Sequence, residues 1–151
     1  MSNPPHPPAV DAGRLWAGGA ATAVVAALVA LVGVLVAEGP LGIVMVQPPL
    51  IPVGASFGLR YAVTAAVLAL VATALAHLLV VTTPRPRAFF SWIVGLATIV
   101  GVVLPFTLDG TTSGRVATAV VDLVIGLAIL NLLNSVMSRT VRGVGRTRTA
   151  Y

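Results

Sequence analysis

One carboxylate interrupts a long apolar run of this chain, and an acid in such a setting predicts polar chemistry inside a membrane. Asp122 lies near the start of the apolar residues 116–138, one helical turn after Thr118. Arg60 and Arg115 each precede an apolar run. Acids within membrane spans often mark ion or proton paths, but they also pair with neighbouring polar groups. These four residues therefore predict an interhelical hydrogen-bond or ion-pair contact, a proton- or ion-binding site, or an acid that simply lies at the membrane interface.

A second set of polar residues falls toward the far end of the same apolar runs. His77 lies late in one run, and Asn131 and Asn134 lie late in another. The three residues predict a hydrogen-bonded cluster between two helices, or a proton relay, because histidine titrates near neutrality. Asp122 and Asn131 are about two and a half turns apart on one helix, which places them on opposite faces. A continuous polar path would therefore need a second helix.

The sequence contains few residues suited to catalysis or metal binding. The chain has no cysteine, which excludes disulfides, thiolate metal sites and cysteine catalysis. The apolar runs hold no paired carboxylates and no serine–histidine arrangement, and one histidine falls short of a metal site. A transporter of the small multidrug class would carry a glutamate in the middle of its first span, whereas residues 15–37 carry no charge. We expect no enzymatic activity, no metal and no cofactor.

The elements that must position these residues are membrane spans. Hydrophobic residues make up 58% of the 151 residues and charged residues only 9%, whereas a soluble domain carries about 25% charged residues. A bilayer core of about 30 Å needs about 20 helical residues. Four runs reach that length: residues 15–37, 61–83, 88–108 and 116–138. We therefore predict an all-α membrane protein with four transmembrane helices in an antiparallel bundle.

This division gives three regions of the chain. Residues 1–12 are rich in proline and predict a disordered tail. Residues 13–138 form the transmembrane domain, and residues 139–151 form a basic tail. The first span is longer than the apolar core of about 7–15 residues in a secretory signal. We therefore expect the first span to be retained.

Arginine predicts the orientation, because all nine basic residues of the chain are arginine. Loops rich in basic residues stay in the cytoplasm, which leaves Arg60 and Arg115 on the outer side. The other arginines fall on the inner side, where each would contribute about 1 kcal/mol near anionic headgroups: Arg14, Arg85, Arg87, Arg139, Arg142, Arg146 and Arg148. We therefore predict cytoplasmic termini, a bacterial plasma membrane and binding to anionic lipid instead of nucleic acid.

The connections between spans differ in length and character. Residues 84–87 and 109–114 are short, so the helices that they join must be neighbours. Residues 38–58 are longer and apolar, and predict either a hydrophobic cap over the helix ends or a lid or partner-docking segment. Small residues at helical spacing, beginning with Gly19 on the first span and Ala62 on the second, predict close packing of these two spans.

Two stretches of the chain carry a resemblance to a known family. Residues 82–106 (TTPRPRAFFSWIVGLATIVGVVLPF) and 117–129 (ATAVVDLVIGLAI) resemble an actinobacterial family of small four-span membrane proteins whose function is unassigned. The likeness covers roughly residues 13–142. It implies the fold and the membrane location only. Asparagine often occupies the position of Asp122 in that family, which implies that an ionisable group is not required there.

These observations support two functional hypotheses. The first is a non-catalytic structural or accessory protein that contacts a membrane-protein partner, or a second copy of itself, through small-residue helix faces. The second is a small oligomeric transporter or channel that uses the polar residues around Asp122. The substrate, the partner and the oligomeric state do not follow from the sequence.

Overall fold

Four α-helices and one short 3₁₀ helix make up the described part of the chain. The structure is a computed structural model, and it describes residues 12–46 and 56–141. The helices are α1 (Ala12–Glu38), α2 (Phe57–Thr82), α3 (Pro86–Val103) and α4 (Thr112–Val141), and the 3₁₀ helix is Leu104–Thr107. The predicted tail 1–12 falls almost wholly outside these residues, as do residues 47–55 and 142–151.

Each of the four helices is long and apolar enough to cross a membrane. This confirms the prediction of an all-helical chain with four helices of that length and composition. The helices also run past the apolar runs: α2 begins at Phe57 and includes Arg60, and α4 begins at Thr112 and includes Arg115. A helix continues into the headgroup region because its backbone hydrogen bonds do not require an apolar side chain. Both arginines are therefore helical residues.

The third span ends in a change of helix type at a proline. Pro105 lacks the N–H that would continue the α-helical hydrogen bonds. The α-helical part of α3 therefore ends at Val103, and residues 104–107 form a 3₁₀ turn. The Thr107 hydroxyl donates to the Leu104 carbonyl at 2.7 Å and accommodates part of the disturbed backbone. The α-helical part of this span is consequently the shortest of the four.

The helices surround a core built largely from small residues. α1 packs most extensively against α2 and then against α4, while α3 packs against α4 and only loosely against α2. Within the described ranges, no Cα atom of α1 comes within 8 Å of one in α3, so the two helices lie across the bundle from each other. Gly19 of α1 faces Thr73 of α2, and a Cβ at Gly19 would collide with that side chain. Such close approach lets dispersion forces hold helices together where lipid offers no hydrophobic gain.

Two contacts at one end of the bundle show how the helices align. Trp16, near the start of α1, packs against His77, near the end of α2, with ring centroids 6.4 Å apart. Asn134, late in α4, bonds to Ser91, early in α3. One end therefore carries the start of α1, the α2–α3 turn and the end of α4. We call it the basic end, because it holds Arg14, Arg85, Arg87 and Arg139.

The beginning of the long predicted loop folds back over the opposite end. Gly42 adopts a left-handed φ of 60°, a conformation that glycine reaches without steric cost, and the Ile43 N–H then donates to the Ala37 carbonyl at 2.8 Å. The following residues lead to Met45 and Val46, which are buried. The Val46 N–H donates to the Thr118 hydroxyl of α4 at 3.1 Å. We call residues 43–46 the strap.

Candidate functional site

Asp122 receives a hydrogen bond from a tyrosine of the neighbouring helix. The Tyr61 hydroxyl of α2 donates to the Asp122 carboxylate of α4 at 2.5 Å. The Tyr61 side chain is almost fully buried, at 4% exposure, and its ring stacks on Phe57 with centroids 5.8 Å apart. A hydrogen bond offsets part of the desolvation of a carboxylate inside a helix bundle. Tyr61 therefore does what the sequence analysis assigned to other residues.

No hydrogen bond joins Asp122 to its predicted partners in the described residues. The Thr118 hydroxyl donates to the Gly114 carbonyl at 2.9 Å and accepts from the strap, so it does not donate to Asp122. The Nε atoms of Arg60 and Arg115 are buried and have no hydrogen-bond partner in the described parts of the chain. The expected bond from Thr118 to Asp122 was wrong. Arg115 lies about two helical turns before Asp122 on α4, and successive residues of α2 point about 100° apart. Turning Tyr61 toward α4 turns Arg60 away from it.

Sequence reasoning missed Tyr61, although a usable signal was present. Tyr61 follows Arg60 at the start of α2, at the end of the bundle where Asp122 lies. Buried tyrosine hydroxyls usually find a hydrogen-bond partner, and Asp122 is the one carboxylate within the apolar runs. A tyrosine and an acid at the same depth on two predicted membrane helices are therefore a pattern that predicts a hydrogen bond between them.

Asp122 and Tyr61 also line a groove between α2, α3 and α4. The groove has a volume of about 450 Å³ and is partly open on one side. Its walls are mostly apolar, with Leu68 on α2 and Ala97 on α3 among them. It exists because α2 and α3 pack loosely and because Gly101 contributes no side chain. We call it the lateral groove.

The predicted cluster of His77 with Asn131 and Asn134 does not form. His77 packs against Trp16 of α1, and its Nδ1 atom has no hydrogen-bond partner in the described residues. Asn131 donates to the Leu127 carbonyl of its own helix at 2.9 Å. Asn134 donates to the Ser91 hydroxyl of α3 at 3.0 Å. The rotation of each helix separates them: His77 faces α1, whereas the asparagines lie on the α3 side and the outer face of α4.

Asn131 and Asn134 belong instead to a pocket on the outside of the bundle, at the basic end. The pocket has a volume of about 560 Å³ and lies between the start of α3 and the last turns of α4. Its charged and polar lining comprises Arg87, Ser91, Asn131, Asn134, Ser135 and Ser138. We call it the polar pocket. Residues 131, 134, 135 and 138 have the spacing of one helix face, a signal that was present in the sequence and missed.

Four of the seven arginines predicted to contact lipid headgroups lie within the described residues. Arg14, Arg85, Arg87 and Arg139 are exposed at the basic end. Trp16 and Trp92 lie at the same end and are 45% and 73% exposed, as expected of tryptophan in a membrane–water interface. Arg142, Arg146 and Arg148 fall outside the described residues. Headgroup binding itself stays a prediction for all of them.

Charge and hydrogen bonds are the interactions that these sites offer to a ligand. Asp122 is a single carboxylate with one tyrosine donor in a mostly apolar groove. The described residues contain no group of three or more His, Cys, Asp and Glu side chains that would hold a metal ion. The polar pocket combines one guanidinium with hydroxyl and amide groups, which can bind a polar ligand by charge and hydrogen bonds.

Comparison with known proteins identifies the family. The model of one protein family, described as a family of unknown function (DUF6069), matches residues 10–139. No curated protein and no solved structure matches the chain. The matched residues include all four spans and both sites described above. Because the match covers most of the chain, the protein belongs to the family of unknown function DUF6069.

Proposed function

We propose that this protein is a non-catalytic accessory protein of a bacterial plasma membrane, which binds a transmembrane helix of a partner protein in the lateral groove. Its four helices form an antiparallel bundle with both termini in the cytoplasm. The concentration of arginine at the basic end supports this orientation, because basic residues are retained on the cytoplasmic side.

The single observation that carries the proposal is the incomplete packing of α3. Gly101 of α3 lines the lateral groove and has no atom within 4 Å of the place where a Cβ would lie. Elsewhere in the bundle, glycine is covered closely: Gly126 of α4 faces Thr98, and Gly19 faces Thr73. Transmembrane helices associate through small residues that allow close approach. The open side of α3 and the groove beside it therefore offer a partner helix the kind of surface that the bundle uses internally.

Asp122 gives this groove a polar anchor. The carboxylate lines the groove together with Tyr61, while most of the lining is apolar. A partner helix with a hydrogen-bond donor at that depth, such as serine, asparagine or tryptophan, would bind the carboxylate. Interhelical hydrogen bonds of this kind contribute about 0.6–2 kcal/mol in membranes. This hydrogen bond would stabilise the bound partner helix and would also fix its position along the groove.

Site-specific photo-crosslinking tests this proposal. A photoreactive amino acid replaces Leu68 in the groove, or Leu28 on α1 as a control, because both leucines are about half exposed. The groove position should cross-link one membrane protein through a peptide of a transmembrane helix, identified by mass spectrometry in native membranes. Identical products from both positions, or lipid adducts alone, would refute the proposal. A second copy of this chain as the product would make the groove a homo-oligomer interface instead.

Filling the groove supplies a matched pair of variants. Gly101→Leu places a side chain in the groove, whereas Gly95→Leu places one on the same helix outside the groove lining. We expect Gly101→Leu to abolish the cross-link from position 68 and Gly95→Leu to leave it. If both variants lost the cross-link from position 68 equally, the partner would cover the whole of α3 and its binding would not depend on the groove.

A transporter or channel is the second candidate, because Asp122 is an acid that lines a partly open cavity. The mostly apolar groove lining and the separation of His77 from the groove favour the accessory role. Proton or solute flux in liposomes distinguishes the two functions. Flux that disappears with Asp122→Asn would establish the transporter, and the absence of flux in both wild type and variant would favour the accessory protein.

A further inference from the structure

The polar pocket lies where a membrane protein meets lipid headgroups. Asn131 and Ser135 are exposed, and Asn134 and Ser138 are half-buried, on a face of α4 turned away from the core. The neighbouring Trp92 of α3 is 73% exposed. Hydrocarbon offers no hydrogen bonds to a helix face of amides and hydroxyls. The membrane–water interface, where tryptophan is enriched, does offer them. The pocket therefore opens at headgroup depth, in the leaflet at the basic end.

One acceptor in this pocket is left without a partner by the fold. The Asn134 side-chain nitrogen donates to Ser91, but its Oδ1 atom is buried and accepts no hydrogen bond from any described residue. A buried acceptor without a donor costs about 1–3 kcal/mol. By contrast, Asn131 and Ser135 bond to carbonyls of their own helix. Asn134 Oδ1 therefore calls for a donor from a bound molecule.

The opposite side of the pocket is positive. Arg87 and Ala88, in the first turn of α3, both line it. The first backbone N–H groups of a helix have no intrahelical partner and lie at the positive end of its dipole. The N-cap residue Arg85 supplies no side-chain cap to them. A guanidinium beside such N–H groups is a combination that binds phosphate.

We propose that the polar pocket binds an anionic phospholipid whose headgroup carries hydroxyl groups, such as glycerol or a larger polyol. The phosphate diester accepts hydrogen bonds from Arg87 and the first turn of α3. A headgroup hydroxyl donates to Asn134 Oδ1, within reach of the serine hydroxyls of α4. The pocket lining contains no acid, so it offers no ion-pair partner to the amine of a zwitterionic lipid. This site is separate from the lateral groove and does not depend on the proposed function.

Lipid binding to the purified full chain tests the two halves of this site separately. Native mass spectrometry in detergent would compare phosphatidylglycerol, phosphatidic acid, phosphatidylcholine and inorganic phosphate. Phosphatidic acid keeps the anionic phosphate but lacks the headgroup hydroxyls. We expect the order phosphatidylglycerol, phosphatidic acid, phosphatidylcholine, with the glycerol lipid ahead of phosphatidic acid by about tenfold, the equivalent of one good hydrogen bond. Inorganic phosphate matching phosphatidylglycerol would assign the pocket to free phosphate instead of lipid.

Matched variants show whether this pocket is responsible. Arg87→Gln should weaken the binding of both anionic lipids by about tenfold. Arg85→Gln, two residues earlier and outside the pocket lining, should weaken their binding less, because it removes only a general attraction to anionic headgroups and no contact in the pocket. Asn134→Ala should weaken the binding of phosphatidylglycerol and leave the binding of phosphatidic acid unchanged. Ser138→Ala tests the hydroxyl side of the pocket if Asn134→Ala fails to fold. Equal effects of the two arginine variants, or equal loss of both lipids with Asn134→Ala, would overturn the proposal.

Discussion

Tyr61 and Asp122 form a polar contact between two helices whose surroundings are otherwise apolar. The tyrosine is almost fully buried, and the carboxylate is in the groove wall. Removing one member of such a pair leaves the other without its partner, which costs more than the net contribution of the bond. The pair is therefore a stability determinant whether or not the groove binds a partner.

Replacement of Tyr61 by phenylalanine tests this role. Tyr61→Phe keeps the ring and removes the donor to Asp122, so we expect a loss of about 1–3 kcal/mol in the free energy of unfolding. Reversible unfolding in mixed detergent micelles measures it. The loss should disappear in an Asp122→Leu background, because no carboxylate is then left without a donor. An equal loss in both backgrounds would assign the effect to ring packing.

At the scale of the helices, glycine acts through the space that its neighbours occupy. Gly19 is covered by Thr73 across the α1–α2 contact, while Gly95 on α3 faces open space. Thr73 is fully buried, and its hydroxyl already donates to the Ala69 carbonyl at 2.8 Å. It therefore has little freedom to move away from a larger residue at position 19.

Alanine at these two glycines should have opposite effects. Gly19→Ala forces α1 away from α2 and should destabilise the bundle by about 1–3 kcal/mol, as overpacked cores do. Gly95→Ala meets no neighbour and should stabilise α3 by about 0.5–1 kcal/mol, because alanine loses less backbone entropy in a helix. Thermal unfolding of the two variants in the same detergent compares them. Similar destabilisation by both would contradict this account of helix packing.

The strap depends on a hydroxyl of α4. The Val46 N–H is bound by Thr118, so Thr118→Val should leave that N–H unsatisfied and raise the hydrogen-exchange rate of residues 43–46 by about tenfold. Thr64→Val is the matched control, because the Thr64 hydroxyl also bonds to a carbonyl four residues earlier but holds no loop. Faster exchange throughout α4, and not in the strap alone, would contradict a local role for this hydroxyl.

At the scale of the whole molecule, the arginine distribution predicts which side of the membrane each end occupies. The chain has no cysteine, so single-cysteine variants report their own position without background. Arg85→Cys should react with a membrane-impermeant maleimide only after the cells are permeabilised. Glu38 is exposed at the other end of the bundle. Glu38→Cys should react with the same maleimide in cells whose plasma membrane is intact and whose outer envelope has been made permeable. Labelling in the reverse pattern would invert the proposed topology.

Much of the architecture could be predicted because hydropathy is a local property. The four spans follow from runs of apolar residues, and the Pro–Arg turn at 84–87 indicates adjacent helices. The strap was foreseen in part, since an apolar loop of that length favours a position over the bundle end. The sequence could not show that the Thr118 hydroxyl would bind the strap and so leave Asp122 to Tyr61.

What the sequence by itself determined is the number of long apolar helices, their approximate limits and the end at which arginine collects. Only the tertiary structure decided which polar residues meet. Each helical residue turns the side chain by about 100°, so a rotation of α2 by that angle exchanges Arg60 for Tyr61 as the neighbour of Asp122. That rotation is set by close contacts such as Gly19 with Thr73 and Gly126 with Thr98. Hydropathy measures how apolar a helix is, whereas packing determines which way it faces.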